Sequence, residues 1–237
     1  MKNIKTYLLW VLGVVLLVAL VQFPIQNTDE AAWTMPLAGK TIVIDPGHGG
    51  VDGGAVGSDD TLEKDISLAV AKKLQNFLQQ AGAVVYLTRE EDKDLAADDT
   101  QGLSRRKAED IRARLNFIHE KEPDLFITLH LNALASSKWR GAQTFYYPES
   151  RENKHLAVMI QEEIIRNMEN TSREALAING VYLLKHAEVP GALVEIGFLS
   201  NPEERDLLKK DDYQQGMAAS IYEGILRYVT EDLPEEG

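Results

Sequence analysis

Lys40-Thr41-Ile42-Val43-Ile44-Asp45-Pro46-Gly47-His48-Gly49-Gly50 is the stretch that decides the fold class. Its first six residues are a short β-branched run, which reads as a buried strand, and Pro46-Gly47 ends that strand in a loop. A helix follows. Ile66, Ala69, Val70, Leu74, Phe77 and Leu78 share one face of a helix from about Glu63 to Ala81, and Gly82 is placed to stop it. Similar strand-like runs recur at 83–88, 125–130, 142–147 and 191–196, with a weaker one at Val181-Tyr182-Leu183-Leu184. Helical patterns cover about 104–120, 153–168 and 212–229. Strands that are apolar on both faces and alternate with helices predict a single α/β domain. Its central sheet should be mostly parallel, with about six strands and helices on both faces.

Working toward the amino terminus, Lys2 and Lys5 precede a stretch without charge from Thr6 to Thr28. No polar position falls at helical spacing in its apolar centre, so it reads as an N-terminal hydrophobic helix that serves as a membrane anchor or an export signal. With the two lysines on the cytoplasmic side, the rest of the chain lies outside the membrane. The expected organisation is an anchor or signal over 1–27, a linker over 28–39, the folded domain over 40–231 and a tail over 232–237. Arg89 to Gly102, dense in acidic residues, and Glu169 to Ala177, polar and unpatterned, read as solvated loops.

Composition narrows the chemistry. The 237 residues contain no cysteine, which removes thiolate ligands, cysteine nucleophiles and disulfides, so a metal must be held by histidine and carboxylate. A formal charge of −12 argues against nucleic acid as a partner.

Ligands of an open α/β sheet collect at the carboxyl ends of its strands. His48 lies just beyond the first strand, Glu63 opens the next helix, His130 closes the third strand and Glu195 sits near the end of the last. A catalytic zinc takes three protein ligands and keeps an open position, and two imidazoles with one carboxylate form such a set. His48, Glu63 and His130 supply it, and Glu195 is the candidate general base. Gly47, Gly49 and Gly50 let the backbone turn tightly beside His48. Plainer readings exist for each: Glu63 as the N3 member of a capping box with Asp60, His130 as a satisfied strand histidine, His48 as a turn residue. Glu195 resists them, because an ionised carboxylate among Leu193, Val194 and Ile196 is costly to bury without a partner. His119 and His155 fall on helices and read as structural or surface residues. His186, before Pro190, is a weak candidate for a substrate contact.

Four stretches carry a family resemblance: 44–50, Leu62-Glu63-Lys64-Asp65, 124–133 and 190–201. In this order, from about Lys40 to Tyr228, the chain resembles the zinc-dependent N-acetylmuramoyl-L-alanine amidases of the Amidase_3 family, which cut peptidoglycan. The resemblance implies that His48, Glu63 and His130 bind one Zn2+ and that Glu195 is the catalytic glutamate. Asn132, inside a matched stretch, is expected to contact substrate. The bond implied is the amide between the lactyl group of muramic acid and the L-alanine of the stem peptide. A single catalytic domain behind a hydrophobic segment is most similar to the sporulation members, whose cleavage prepares muramic δ-lactam in the spore cortex for germination enzymes. That places the domain in the cell or spore envelope. Ile118-His119 departs from the family's usual Ala-Asn, and Arg114 fits the family's helix arginine, with a structural job expected. The residues alone leave open a zinc peptidase or carboxypeptidase acting on wall peptides, and a non-catalytic peptidoglycan-binding protein. Whether an activating protein partner is needed is also left open.

Overall fold

The computed structural model describes residues 4, 6–8, 10–15 and 35–233. The chain divides into two compact units, residues 1–34 and 35–237. In the first, the described residues are helical and exposed. No helix among the described residues is long and apolar enough to cross a membrane. Residues 16–34, which hold the rest of the expected anchor or signal and the start of the linker, lie outside the described residues, as do 234–237 of the tail. Residues 35–39 pack with the second unit: Leu37 is fully buried and its N–H donates to the Ala81 carbonyl at 2.9 Å.

The second unit is a single α/β domain built on a six-stranded sheet. The expected strands form as β1 (Thr41–Pro46), β2 (Val84–Leu87), β3 (Leu125–Asn132), β4 (Gln143–Tyr146) and β6 (Gly191–Phe198), with a short β5 (Leu176–Ala177). Their order across the sheet is β2-β1-β3-β6-β4-β5. The pairs β1–β2, β1–β3 and β3–β6 are parallel, and β4 runs antiparallel to β6. The long helices are α1 (Glu63–Gln80), α2 (Leu103–Lys121), α3 (Arg151–Met168) and α6 (Asp211–Thr230), joined by short α4 (Tyr182–His186) and α5 (Pro202–Leu208).

Strand alternation sorts the core into two layers. Ile42, Ile44, Leu125, Ile127, Leu129, Ala192, Val194 and Ile196 pack with the buried faces of α1, α3 and α6. Val43, Phe126 and Leu193 point the other way, against Leu115 and Ile118 of α2 and Leu183 and Leu184 of α4. The second layer is smaller. Continuing its alternation toward the carboxyl ends puts Asp45, Thr128, His130 and Glu195 on that same face.

Two expectations are corrected, and one helix was not expected. The run 181–184 is not a strand but enters α4, where Leu183 and Leu184 are buried on one helical face; four apolar residues cannot separate the two periods. The loop over 169–177 ends in β5, which pairs with β4 and extends the sheet edge. Helix α5 had its signal in plain view: Asn201 is the N-cap, accepting from the Glu204 N–H at 3.0 Å, and Pro202 sits in the first turn.

Candidate metal centre

The carboxyl ends of β1, β3 and β6 and the start of α1 converge. Register places Glu195 directly beside His130 on neighbouring parallel strands. Glu63 comes from the opposite layer, because α1 covers the other face, and its side chain reaches over the sheet end. One ligand atom from each of His48, Glu63 and His130 falls in a group whose members all lie within 4.8 Å of one another. The two imidazoles stand edge to face, ring centres 5.1 Å apart.

Glu63 is the hub. Its Oε1 lies 2.9 Å from His130 Nδ1 and accepts from the Leu131 N–H at 2.9 Å. Its Oε2 lies 3.2 Å from His48 Nε2 and accepts from the Ala55 N–H at 2.6 Å. The capping-box alternative therefore fails: Leu62 is the N-cap position, with no side-chain cap, and the Glu63 carboxylate faces the site. Burial works to raise the Glu63 pKa, but the hydrogen bonds and charges of His130 and His48 outweigh it and hold it well below the carboxylate range.

His48 sits at φ +61°, a left-handed conformation uncommon outside glycine. Two buried guanidiniums hold its loop there. Arg114 donates to the His48 carbonyl at 2.6 Å, to the Pro46 carbonyl at 2.8 Å and to Asp45 Oδ1 at 2.8 Å. Arg89 donates to the carbonyls of Pro46 at 3.0 Å, Gly47 at 2.9 Å and Lys64 at 2.8 Å. Arg114 thus has the structural job expected of it. Arg89 does not belong to a solvated loop, being only 1% exposed. The acidic segment after it is also tied down, since Asp92 accepts from the Gly50 N–H at 2.8 Å and from Lys64 Nζ at 2.7 Å. Gly47 lets the His130 ring approach, because a Cβ there would come within 2.4 Å of it.

Asp52 was missed from the sequence. Its Oδ2 lies 2.9 Å from His48 Nδ1, and its Oδ1 meets Lys107 Nζ at 2.7 Å. Burial acts to raise its pKa, yet Lys107, His48 and the Gly54 N–H together hold it below its ordinary value. An ionised carboxylate can only accept, so His48 Nδ1 carries the hydrogen. Nε2 faces the Glu63 carboxylate at 3.2 Å, so this position is occupied by positive charge either way, a second ring proton in the metal-free site or a cation that replaces that proton. In this structure Glu63 and Asp52 also hold the His48 pKa above the usual imidazole value, against the opposing effect of burial. The donor set therefore fits a divalent cation of the kind that imidazole and carboxylate bind.

Glu195 carries the opposite perturbation. Burial, with the Glu63 charge adding to it, raises its pKa to about 7 despite the nearby His130 and His48. Its Oε2 is buried with no hydrogen-bond partner among the described residues. A carboxyl poised near neutrality and missing a partner has the properties of a proton carrier. The side chain of Asn132 makes no hydrogen bond among the described residues; its carbonyl accepts from the Leu199 N–H at 2.7 Å, past a register shift after His130. Of the remaining histidines, His155 is buried against Tyr228 and His119 Nε2 lies 3.0 Å from the His186 carbonyl; none of the three joins the metal-competent group among the described residues.

A mostly parallel α/β domain with this cluster at its strand ends defines a class, and the comparisons agree with it. The family model for N-acetylmuramoyl-L-alanine amidase, Amidase_3, matches residues 42–227, and the chain belongs to that family. It is 52% identical over 237 residues, 99% of each chain, to the germination-specific N-acetylmuramoyl-L-alanine amidase of Bacillus subtilis (strain 168). Among solved structures it is similar to the CwlD amidase of Clostridioides difficile, determined in complex with the GerS lipoprotein. That match has a TM-score of 0.80 at 40% identity and covers 81% of this chain and all of that one. The AmiC2 amidase of Nostoc punctiforme matches with a TM-score of 0.70 at 28% identity, over 83% of this chain and 98% of its own.

Proposed function

We propose that this chain is a zinc-dependent peptidoglycan amidase that hydrolyses the amide between the lactyl group of N-acetylmuramic acid and the L-alanine of the stem peptide. Membership of the amidase family supports the bond, and the facing of His48 Nε2, His130 Nδ1 and the Glu63 carboxylate carries the metal assignment. Those three residues are the proposed ligands of one Zn2+ per chain. When bound, zinc supplies Lewis acidity, which activates water and polarises the scissile carbonyl.

The remaining chemistry belongs to Glu195. Its carboxylate takes a proton from the attacking water and delivers it to the departing L-alanine nitrogen, so that a neutral amine leaves. Burial raises its pKa to about 7 in the metal-free site, and a bound cation would bring it down toward the ionised form that accepts the first proton. Asn132, at the rim of the same strand end, is proposed to contact substrate.

The biological reading follows the likeness to the germination-specific amidase: cleavage in the spore cortex that exposes muramic acid for δ-lactam formation. The domain would act outside the cytoplasmic membrane, with residues 1–27 as anchor or signal, a linker behind them and the catalytic domain from about residue 40. The lipoprotein complex of the CwlD amidase supports a protein partner for this chain as well.

Mass spectrometry of peptidoglycan digested by the zinc-loaded protein tests the reading. Stem peptides with a free L-alanine amine, together with muramic acid stripped of peptide, are expected from the parent and absent with Glu195→Ala. Peptides cut internally would move the assignment to a peptidase.

A further inference from the structure

Asp52 is the charged group at the site that neither the ligand set nor the base accounts for. Residues His48 to Asp52 form a tight hairpin closed by two backbone hydrogen bonds, Gly49 N–H to the Asp52 carbonyl at 2.9 Å and Asp52 N–H to the Gly49 carbonyl at 3.0 Å. Closing that ring returns the Asp52 carboxylate to the imidazole four residues before it. Resting on the reading that His48 ligates zinc, we propose that Asp52 is a positioning residue that keeps the ring proton of His48 on Nδ1, leaving Nε2 free for the metal, and that Lys107 holds Asp52 in place.

The two carboxylate oxygens divide the work. Oδ2 faces His48 Nδ1 at 2.9 Å, whereas Oδ1 accepts from Lys107 Nζ at 2.7 Å and from the Gly54 N–H at 3.1 Å. The Oδ1 contacts tether the loop; the Oδ2 contact sets the tautomer. A histidine that ligates through one nitrogen needs its other N–H engaged by an acceptor, which orients the ring and makes it the better donor. Among the described residues no carboxylate hydrogen-bonds His130 Nε2, and its ring packs on Gly47. The two imidazoles are therefore held by different means, and only His48 depends on an outer acid.

Because the oxygens are divided, Asp52→Asn is a discriminating substitution. The amide oxygen can keep Lys107 and the Gly54 N–H, which turns the amide NH2, a donor, toward His48 Nδ1. Nδ1 must then accept, and the ring proton moves to Nε2, the nitrogen facing the metal position. Zinc affinity is expected to fall by about 10- to 100-fold. Nitrogen NMR of the His48 ring in the metal-free protein, at a pH where the ring is neutral, should show its single proton shifted from Nδ1 toward Nε2 relative to the parent, with little change in the unfolding midpoint. Lys107→Met, at an exposed position, should fold whatever Asp52→Asn does. It removes a pair of the surface class and should weaken zinc binding by about two- to fivefold.

Zinc dissociation constants from chelator competition, read beside the NMR spectra, decide the matter. Affinity that neither substitution moves would overturn the proposal. So would affinity lost while the proton stays on Nδ1, which would make Asp52 a loop tether only. A parent that binds no zinc, or His48→Ala binding it as tightly as the parent, would instead fail the underlying reading of the ligand set and take this inference down with it.

Discussion

The two layers of the domain do different work with the same strands. On the side of α1, α3 and α6, the strand residues are aliphatic and the helices answer with Val70, Leu74, Leu78, Ile160, Ile164, Ile221 and Ile225, all fully buried. On the side of α2 and α4, the apolar layer stops partway along the strands and gives way to buried Asp45, Thr128 and Arg114, and then to the site. One layer supplies stability through area, the other gives up area to hold charges in register. Buried charges are tolerable there because each has partners: Asp45 accepts from Arg114 at 2.8 Å, Thr88 at 2.6 Å and Thr128 at 2.7 Å.

Substitutions should separate the layers cleanly. The largest effect is expected from Glu195→Gln, which should lower kcat by about 10²- to 10⁴-fold while zinc content stays near that of the parent. Lost metal with that substitution would put Glu195 among the ligands and erase the distinction between hub and base. Next comes Arg114→Met, which takes the counter-charge from Asp45 and Asp110 and frees the His48 carbonyl. Urea unfolding should show a loss of about 3 to 5 kcal/mol, accompanied by weaker zinc binding. Leu74→Ala in the aliphatic layer should cost about 2 to 5 kcal/mol yet leave zinc affinity unchanged. Zinc affinity that moved with Leu74→Ala would mean the layers are not independent.

Protonation sharpens the contrast, and two acids move in opposite directions. Although burial alone would raise it, Arg114 and the threonine hydroxyls lower the Asp45 pKa from 3.8. Its contribution is therefore fully present above that value and is lost as pH falls through the depressed native pKa. Glu195 goes the other way: unfolded it ionises near 4.5, folded near about 7, so the metal-free domain should lose stability as pH rises between those values. Chemical unfolding of metal-free Glu195→Gln should show a gain over the parent at pH 8 that vanishes below about pH 4. A constant difference across that range would rule out a raised carboxyl. Smallest of all, Asn201→Ala removes the N-cap of α5 and should cost about 1 kcal/mol in the same measurement, with no change in turnover.

The chain reads well where function and fold share a local signature. Strand 41–46 and helix 63–80 follow from periodicity and from the stop residues at Pro46-Gly47 and Gly82. His48, Glu63, His130 and Glu195 could be picked because each sits where a strand ends or a helix begins, and such ends converge in an open parallel sheet. The four do converge. Asp52 and Arg89 could not be picked. An aspartate in a glycine loop reads as turn chemistry, and an arginine opening an acidic stretch reads as surface, until the hairpin closes on His48 and the guanidinium lies beneath Gly47.

What the sequence determined by itself is the alternation of buried strands and amphipathic helices, the residue types available to a metal and the family to which the chain belongs. The tertiary structure alone decided which nitrogen of each imidazole faces Glu63, that β4 runs against the sheet, that 181–184 is helical, and that one glutamate is held charged while the other is raised toward neutrality. The reason is physical. Periodicity and caps act over a few neighbouring residues, whereas hydrogen-bond direction, desolvation and charge coupling depend on groups brought together from far along the chain.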